Sequence, residues 1–192
     1  MKKLLLGVLI AATALPAAAA LKEGDAAPDF QAQAALAGKA FGYSLKDALK
    51  KGAVVVYFYP SAYTNGCNLQ AHTFSENISQ FSAAGASVVG VSLDSISRLK
   101  DFSADPDYCA GKLTVASDAD GRIAKAYDLA VREAGSGRKD SRGQDIDHGF
   151  AERTTFVIRP DGRIAATLSG LAPVTNVEKA LEVVRSLAGR RP

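Results

Sequence analysis

The chain has 192 residues, 47% of them apolar and 22% charged, a balance that suits one globular domain and excludes a disordered or collagen-like polymer. Lys and Arg number 23 against 20 Asp and Glu, and two of the basic residues are Lys2 and Lys3; the body is nearly neutral and lacks the excess of a nucleic-acid binder. Two cysteines are too few for a disulfide-dense miniature or a four-cysteine zinc site.

In chain order, the first segment reads as an address. Met1-Lys2-Lys3 is a basic head, Leu4 to Leu15 is an apolar run, and Pro16 precedes Ala17-Ala18-Ala19-Ala20, where Ala18 and Ala20 fit a signal-peptidase site. The run is short for a membrane span and ends in alanines without a basic stop-transfer cluster; no lipid-accepting cysteine follows it. The expectation is a signal peptide over residues 1–20, export to a bacterial periplasm, and one domain over residues 21–192, with no membrane contact after cleavage. Disulfides persist in that compartment, so a static staple is an available role for the two cysteines.

Val54-Val55-Val56-Tyr57-Phe58-Tyr59, closed by Pro60, predicts a strand covered on both faces. Cys67, Ala71, Phe74, Ile78 and Phe81 recur at helical spacing, with Gly85 as a stop. Ser87 to Leu93 predicts the next strand, Ser95 to Ala104 a helix, Leu113 to Ala116 a short strand and Ile123 to Tyr127 a helix after the Asp118–Gly121 turn. Residues 131–152 carry four Gly and many charges without periodicity and read as a long loop whose Asp and Arg residues form a solvated surface. Thr154 to Ile158 and Ile164 to Leu168 predict a hairpin across Pro160-Asp161-Gly162, and Val177, Leu181, Val184 and Leu187 the stripe of a closing helix. This order predicts an α/β fold with a mixed sheet.

Chemistry concentrates at Pro60-Ser61-Ala62-Tyr63-Thr64-Asn65-Gly66-Cys67, between the carboxyl end of a buried strand and the start of a helix. With Thr64 as N-cap, Cys67 is the third helical residue, where free N–H groups and the helix dipole favour a thiolate. Ala71 and Phe74 share its face, and an apolar setting works against the anion. A cation would settle the contest, and Arg153, at the amino end of the Thr154–Ile158 strand, is permanently charged and suited to a thiolate or a departing oxygen.

Pro60, Thr64 and Cys67 satisfy P-x-x-x-T-x-x-C, which resembles the peroxidatic motif of peroxiredoxins. Gly24-Asp25-Ala26-Ala27-Pro28-Asp29-Phe30 resembles their opening segment, and Arg153 before Thr155-Phe156-Val157-Ile158 and an Asp-Gly turn matches as well. The closest likeness is to the bacterioferritin-comigratory, or Q-type, branch, with Gln70 where that group has Glu or Gln. The resemblance implies a thioredoxin-like fold with a central mixed β-sheet flanked by helices. It implies Cys67 as the nucleophile that becomes a sulfenic acid, Thr64 hydrogen-bonding thiolate and peroxide, Arg153 stabilising the sulfur and the leaving oxygen, and Pro60 shielding the pocket. It further implies no metal, haem or flavin, a peroxide substrate, a periplasmic thioredoxin-like dithiol reductant and a monomer.

Several positions depart from that pattern. Asn65 stands where many relatives have proline, and His72 stands five residues past Cys67, where many have a second cysteine. Some relatives carry the resolving cysteine in a later helix, so by resemblance Cys109 is the candidate, matched by region only. A spectator thiol or a passive Cys67–Cys109 disulfide in a non-catalytic binding module is the competing reading. Gln70 reads equally as a substrate-side residue or a solvent-facing one. His72 and His148 do not form a metal pattern with the cysteines, the C-x-x-C of a disulfide oxidoreductase is absent, and a copper carrier would need its cysteines close together.

Overall fold

The computed structural model describes residues 20–189; the expected signal peptide lies outside them except for Ala20. Strand β3 (Ala53–Phe58) is buried at every position. Ala53, Val55 and Tyr57 point into one apolar cluster, Val54, Val56 and Phe58 into another. A strand without a polar face requires cover on both sides.

Six more strands join it in one mixed sheet, in the order β2 (Lys39–Ser44), β1 (Gln31–Leu36), β5 (Thr114–Ser117), β4 (Ala86–Ser92), β3, β8 (Thr154–Ile158), β9 (Ile164–Ser169). β3, β4 and β5 run parallel, and the flanking pairs are antiparallel. Helices α2 (Asn65–Ala83), α3 (Ile96–Ala104) and α5 (Pro173–Ala188) bury Phe74, Phe102 and Leu181 on the Val55 side. The short α1 (Leu45–Leu49) and α4 (Arg122–Ala126) bury Leu45 and Ala124 on the other. No helix among the described residues is long and apolar enough to cross a membrane.

Each strand and helix expected from residue 54 onward is present, with ends shifted by a few residues. Besides the short α1, two features were not anticipated. The β1–β2 hairpin turns on Ala37 and Gly38, both at positive φ (49° and 78°), a two-residue connection of the primed type. β1 is rich in alanine and β2 is interrupted by Gly42, both weak strand formers, so their alternation carried little signal. Residues 131–152, expected to be a loop, are closed at the base by β6 (Val131–Arg132) pairing with β7 (Phe150–Ala151), with a further bridge between Lys139 and Asp145.

Tyr57 anchors the side of the sheet that carries α2. Its ring stacks on Phe74 at 4.5 Å and Tyr59 at 5.3 Å, and its register partner on β4 is Gly90. A Cβ at Gly90 would lie 2.5–2.7 Å from three atoms of the Tyr57 ring and hydroxyl. Gly90→Ala is therefore expected to displace Tyr57 and cost about 1–3 kcal/mol, read as a lower denaturation midpoint with an unchanged slope.

Candidate active site

Thr64 is the N-cap of α2 with extended backbone, and Asn65, Gly66 and Cys67 form the first turn, so Cys67 is the third helical residue as expected. Its side chain is buried in the cluster that holds Ala71 and Phe74. Pro60, half-buried, follows the end of β3. The Thr64 hydroxyl makes no cap bond to the helix; it donates to the Ser61 carbonyl at 2.8 Å. Its proton thus goes to the backbone and not to Cys67, unlike the thiolate contact the resemblance implied.

β8 lies antiparallel beside β3 with Thr154 opposite Phe58, so the residue before Thr154 emerges where α2 begins. That residue is Arg153, and its Nη2 stands 3.2 Å from Cys67 Sγ. Gly66 leaves the guanidinium room: a Cβ there would lie 3.3 Å from the same Nη2. Arg153 Nη1 donates to Gln70 Oε1, and Gln70 is fully buried, which removes the solvent-facing reading of that residue. The Arg153 cation, the arrangement that stabilises a thiolate, is thereby aimed by an amide one helical turn past the sulfur.

Cys109 lies on the turn that follows α3, fully buried in the same apolar cluster as Cys67, and the two thiols are not joined. Burial, and then the charge of Asp105, push its pKa well up. His72 is exposed and faces the Asp107 carbonyl at 3.0 Å. Among the described residues no three His, Cys, Asp or Glu side chains gather as a metal site.

Residues 23–167 match the sequence model of the AhpC/TSA family. A Mycobacterium tuberculosis protein bearing a peroxiredoxin name is 32% identical over 160 residues, covering 83% of this chain and 92% of that one. The chain belongs to the AhpC/TSA family, the peroxiredoxins. Peroxidoxin BcpB of Mycobacterium tuberculosis superposes with a TM-score of 0.72 at 28% identity, covering 87% of this chain and 98% of that one. Peroxiredoxin Q of Xanthomonas campestris gives 0.64 at 25% identity, covering 81% and 90%. The fold of this peroxiredoxin is thioredoxin-like, and its activity class is thiol-dependent peroxidase.

The turn that leads into Cys67 is held from outside in a way the sequence did not disclose. Tyr63 has φ of +60°, a left-handed backbone that a bulky aromatic residue adopts only under constraint. The constraint comes largely from residues 131–152. Ser141 N–H donates to the Tyr63 carbonyl at 2.8 Å, and the Arg142 guanidinium lies over the Tyr63 ring. The ring also meets Phe102 and Tyr108 edge-on. Asp140, expected on a solvated surface, is instead buried, paired with Arg98 at 2.7 Å and Arg142 at 3.1 Å. Arg98 also donates to the Ala62 carbonyl at 3.0 Å. The apparent loop is a strap across the active-site turn.

His148 ties the strap to Asp94, which follows β4. Asp94 accepts from Ala62 N–H at 2.8 Å and from the hydroxyls of Ser61 at 3.1 Å and Ser92 at 2.7 Å, and its Oδ1 lies 2.8 Å from Arg98 Nε. His148 Nε2 meets the same Oδ1 at 2.8 Å, and Nδ1 meets the Gly149 carbonyl at 2.8 Å. Both ring nitrogens face acceptors, which calls for a proton on each. Ser61 Oγ sits 3.4 Å from that Nε2, but a hydrolytic triad needs serine and carboxylate on opposite ring nitrogens, so this set is a brace and not a nucleophile.

Burial opposes the charged form of His148, but the Asp94 contact and the Gly149 carbonyl outweigh it and the repulsion from Arg98, so its pKa is raised. Burial likewise opposes ionised Asp94, and the bonds from His148, Ala62 and Ser92 overcome that, so its pKa is lowered. A raised histidine stabilises the fold fully below its unfolded value of about 6.5, and the contribution is lost as pH climbs through the folded value. His148→Gln is expected to lower Tm more at pH 6 than at pH 8.5; an equal loss at both would show that the imidazolium is not the brace.

Proposed function

We propose that Cys67 is the peroxidatic nucleophile of an exported peroxiredoxin, and the observation that carries this is the 3.2 Å contact between Arg153 Nη2 and Cys67 Sγ at the first turn of α2. The thiolate attacks the nearer peroxide oxygen. A sulfur–oxygen bond forms, the O–O bond breaks, and its electron pair leaves on the far oxygen, which takes a proton to depart as water or an alcohol; Cys67 becomes a sulfenic acid. Arg153 carries a fixed charge that serves the sulfur beforehand and the departing oxygen afterwards. Thr64 gives its proton to Ser61, so its oxygen is free to accept the O–H of the incoming peroxide. Pro60 screens the mouth of the pocket.

In the second step the Cys109 thiol attacks the sulfenic sulfur, a disulfide forms and water leaves; a thioredoxin-like dithiol protein of the periplasm then reduces the bond. Disulfide geometry brings sulfurs to about 2.05 Å. Cys67 is wound into α2 and Cys109 is buried with its thiol pushed up, so the bond requires the turn from Ser61 to Cys67 to unwind. Support for that motion lies in the strained Tyr63 link, whose ring touches Tyr108 next to Cys109. Letting go of the strap is part of the step. The basic head, apolar run and Ala18-x-Ala20 site support export.

The test is stoichiometric peroxide added to reduced protein. Cys67→Ser is expected to abolish consumption, and Arg153→Met to slow it about a hundredfold or more. Cys109→Ser should keep the fast first turnover but end as a sulfenic acid instead of an intramolecular disulfide, seen by mass spectrometry. Undiminished turnover in Cys67→Ser would remove the assignment. Arg142→Ala, which frees Tyr63, is expected to speed disulfide formation after oxidation relative to wild type. The N-terminus of protein recovered from a periplasmic fraction should be Leu21.

A further inference from the structure

Arg153 reaches Cys67 through one guanidinium nitrogen and Gln70 through the other. An amide is a weak guide for a cation, because a half-turn about its last bond exchanges the accepting oxygen for a donating nitrogen. Facing Arg153 with its NH2 group, Gln70 would set donors against donors and push the guanidinium off the sulfur. Something must fix which way Gln70 points.

Asn176, on the first turn of α5 and 1% exposed, stands on the far side of Gln70. Its Nδ2 donates at 3.1 Å to the carbonyl of Leu168 on β9, a group that can only accept. That bond forces Asn176 Oδ1 the other way, where it receives Gln70 Nε2 at 3.0 Å and the Thr155 hydroxyl at 2.6 Å. With its NH2 committed, Gln70 presents Oε1 to Arg153. The donors point one way from Arg153 to the main chain, Arg153 to Gln70, Gln70 to Asn176 and Asn176 to Leu168, and from its other nitrogen Arg153 donates to Cys67. Gln70 and Thr155 are fully buried, so no water competes for these bonds.

We propose that Asn176 is a positioning residue of the peroxidase reaction, setting the orientation of the Gln70 amide so that Arg153 is held on Cys67. The proposal rests on the reading of Cys67 and Arg153 given above. Its distinguishing feature is that it depends on an acceptor at position 176 and not on packing there. Asn176→Asp retains an oxygen toward Gln70 while upsetting the Leu168 contact, whereas Asn176→Leu fills similar space and retains nothing. Gln70→Glu has oxygens on both sides and cannot be turned the wrong way, so it makes the guide at 176 unnecessary.

The experiment uses the mature chain with Cys109→Ser, so that only Cys67 reacts, and follows three readouts: the rate with hydrogen peroxide, the rate of alkylation by iodoacetamide at pH 7, and Tm. Asn176→Leu is expected to slow both rates about ten- to a hundredfold through misplacement of the cation. Asn176→Asp should keep both rates within about threefold of the parent although its Tm falls, and adding Gln70→Glu to Asn176→Leu should restore them to a similar margin. Parental rates in Asn176→Leu, no rescue by Gln70→Glu, or rates that fall with Tm in Asn176→Asp would each overturn the proposal. Should Asn176→Leu not fold, Asn176→Ala replaces it in the same comparison with Asn176→Asp. A parent that reacts slowly with peroxide, yet whose alkylation still responds to these substitutions, would defeat the peroxidatic reading and leave the positioning role standing.

Discussion

One contact organises this molecule: a guanidinium nitrogen 3.2 Å from a cysteine sulfur that is otherwise surrounded by hydrocarbon. Setting a half-buried cation against a buried thiol is costly unless each has partners, because the shared space is largely closed to water. The fold answers on both sides. Arg153 divides its donors between Sγ and Gln70, and Gln70 is tied through Asn176 to the backbone of β9. The antiparallel placement of β8 beside β3 carries the charge to the sulfur, since both the helix that bears Cys67 and the residue before Thr154 lie at the same end of the sheet.

The two cysteines differ in what stands against them. Both are buried in one apolar cluster, and no disulfide joins them. Cys109 has no cation against it and has Asp105 nearby; burial and that charge together hold its proton tightly. Such a thiol is inert where it stands and acquires nucleophilic character only on exposure. A buried Cys109 therefore keeps the two halves of the proposed cycle apart in time: oxidation takes place in the closed form, and disulfide exchange waits for the turn to open.

Much of this was legible in the residues. Val54 to Tyr59 has no polar position, which required layers on both faces, and the helical spacing of Cys67, Ala71, Phe74, Ile78 and Phe81 put the thiol on the first turn of α2 facing the core. Arg153 was conspicuous as a permanent charge at the amino end of a core strand. What stayed hidden was non-local. Gln70 read equally as surface or site until Asn176, 106 residues away, was seen to hold it. The charges of residues 131–152 read as solvated because glycine and charge without periodicity ordinarily mean a loop. Asp140 is buried against Arg98, which reaches it from α3, a pairing 42 residues apart in the chain. β1 is half alanine and β2 carries Gly42 at its middle, both residues depleted in strands, so neither segment announced itself despite Phe41 and Tyr43.

The strap bears on how a site of this kind can be both firm and able to open. Left-handed backbone at an aromatic residue is a cost of about 1–3 kcal/mol that persists only while surrounding contacts exceed it. At Tyr63 those contacts come from Ser141, Arg142 and the Asp140–Arg98 pair, all outside α2 and β3. The helix that carries Cys67 is thus entered through a residue in a costly conformation, restrained by a segment whose own strands, β6 and β7, pair apart from the main sheet. Because His148 and Asp94 form part of that restraint through opposite charges, its strength follows proton concentration, and it is greatest where the imidazolium and the carboxylate coexist. In the proposed cycle, stability of the reactive form and readiness to leave it are then set in different places: the first by the relay behind Arg153, the second by the strap in front of Tyr63.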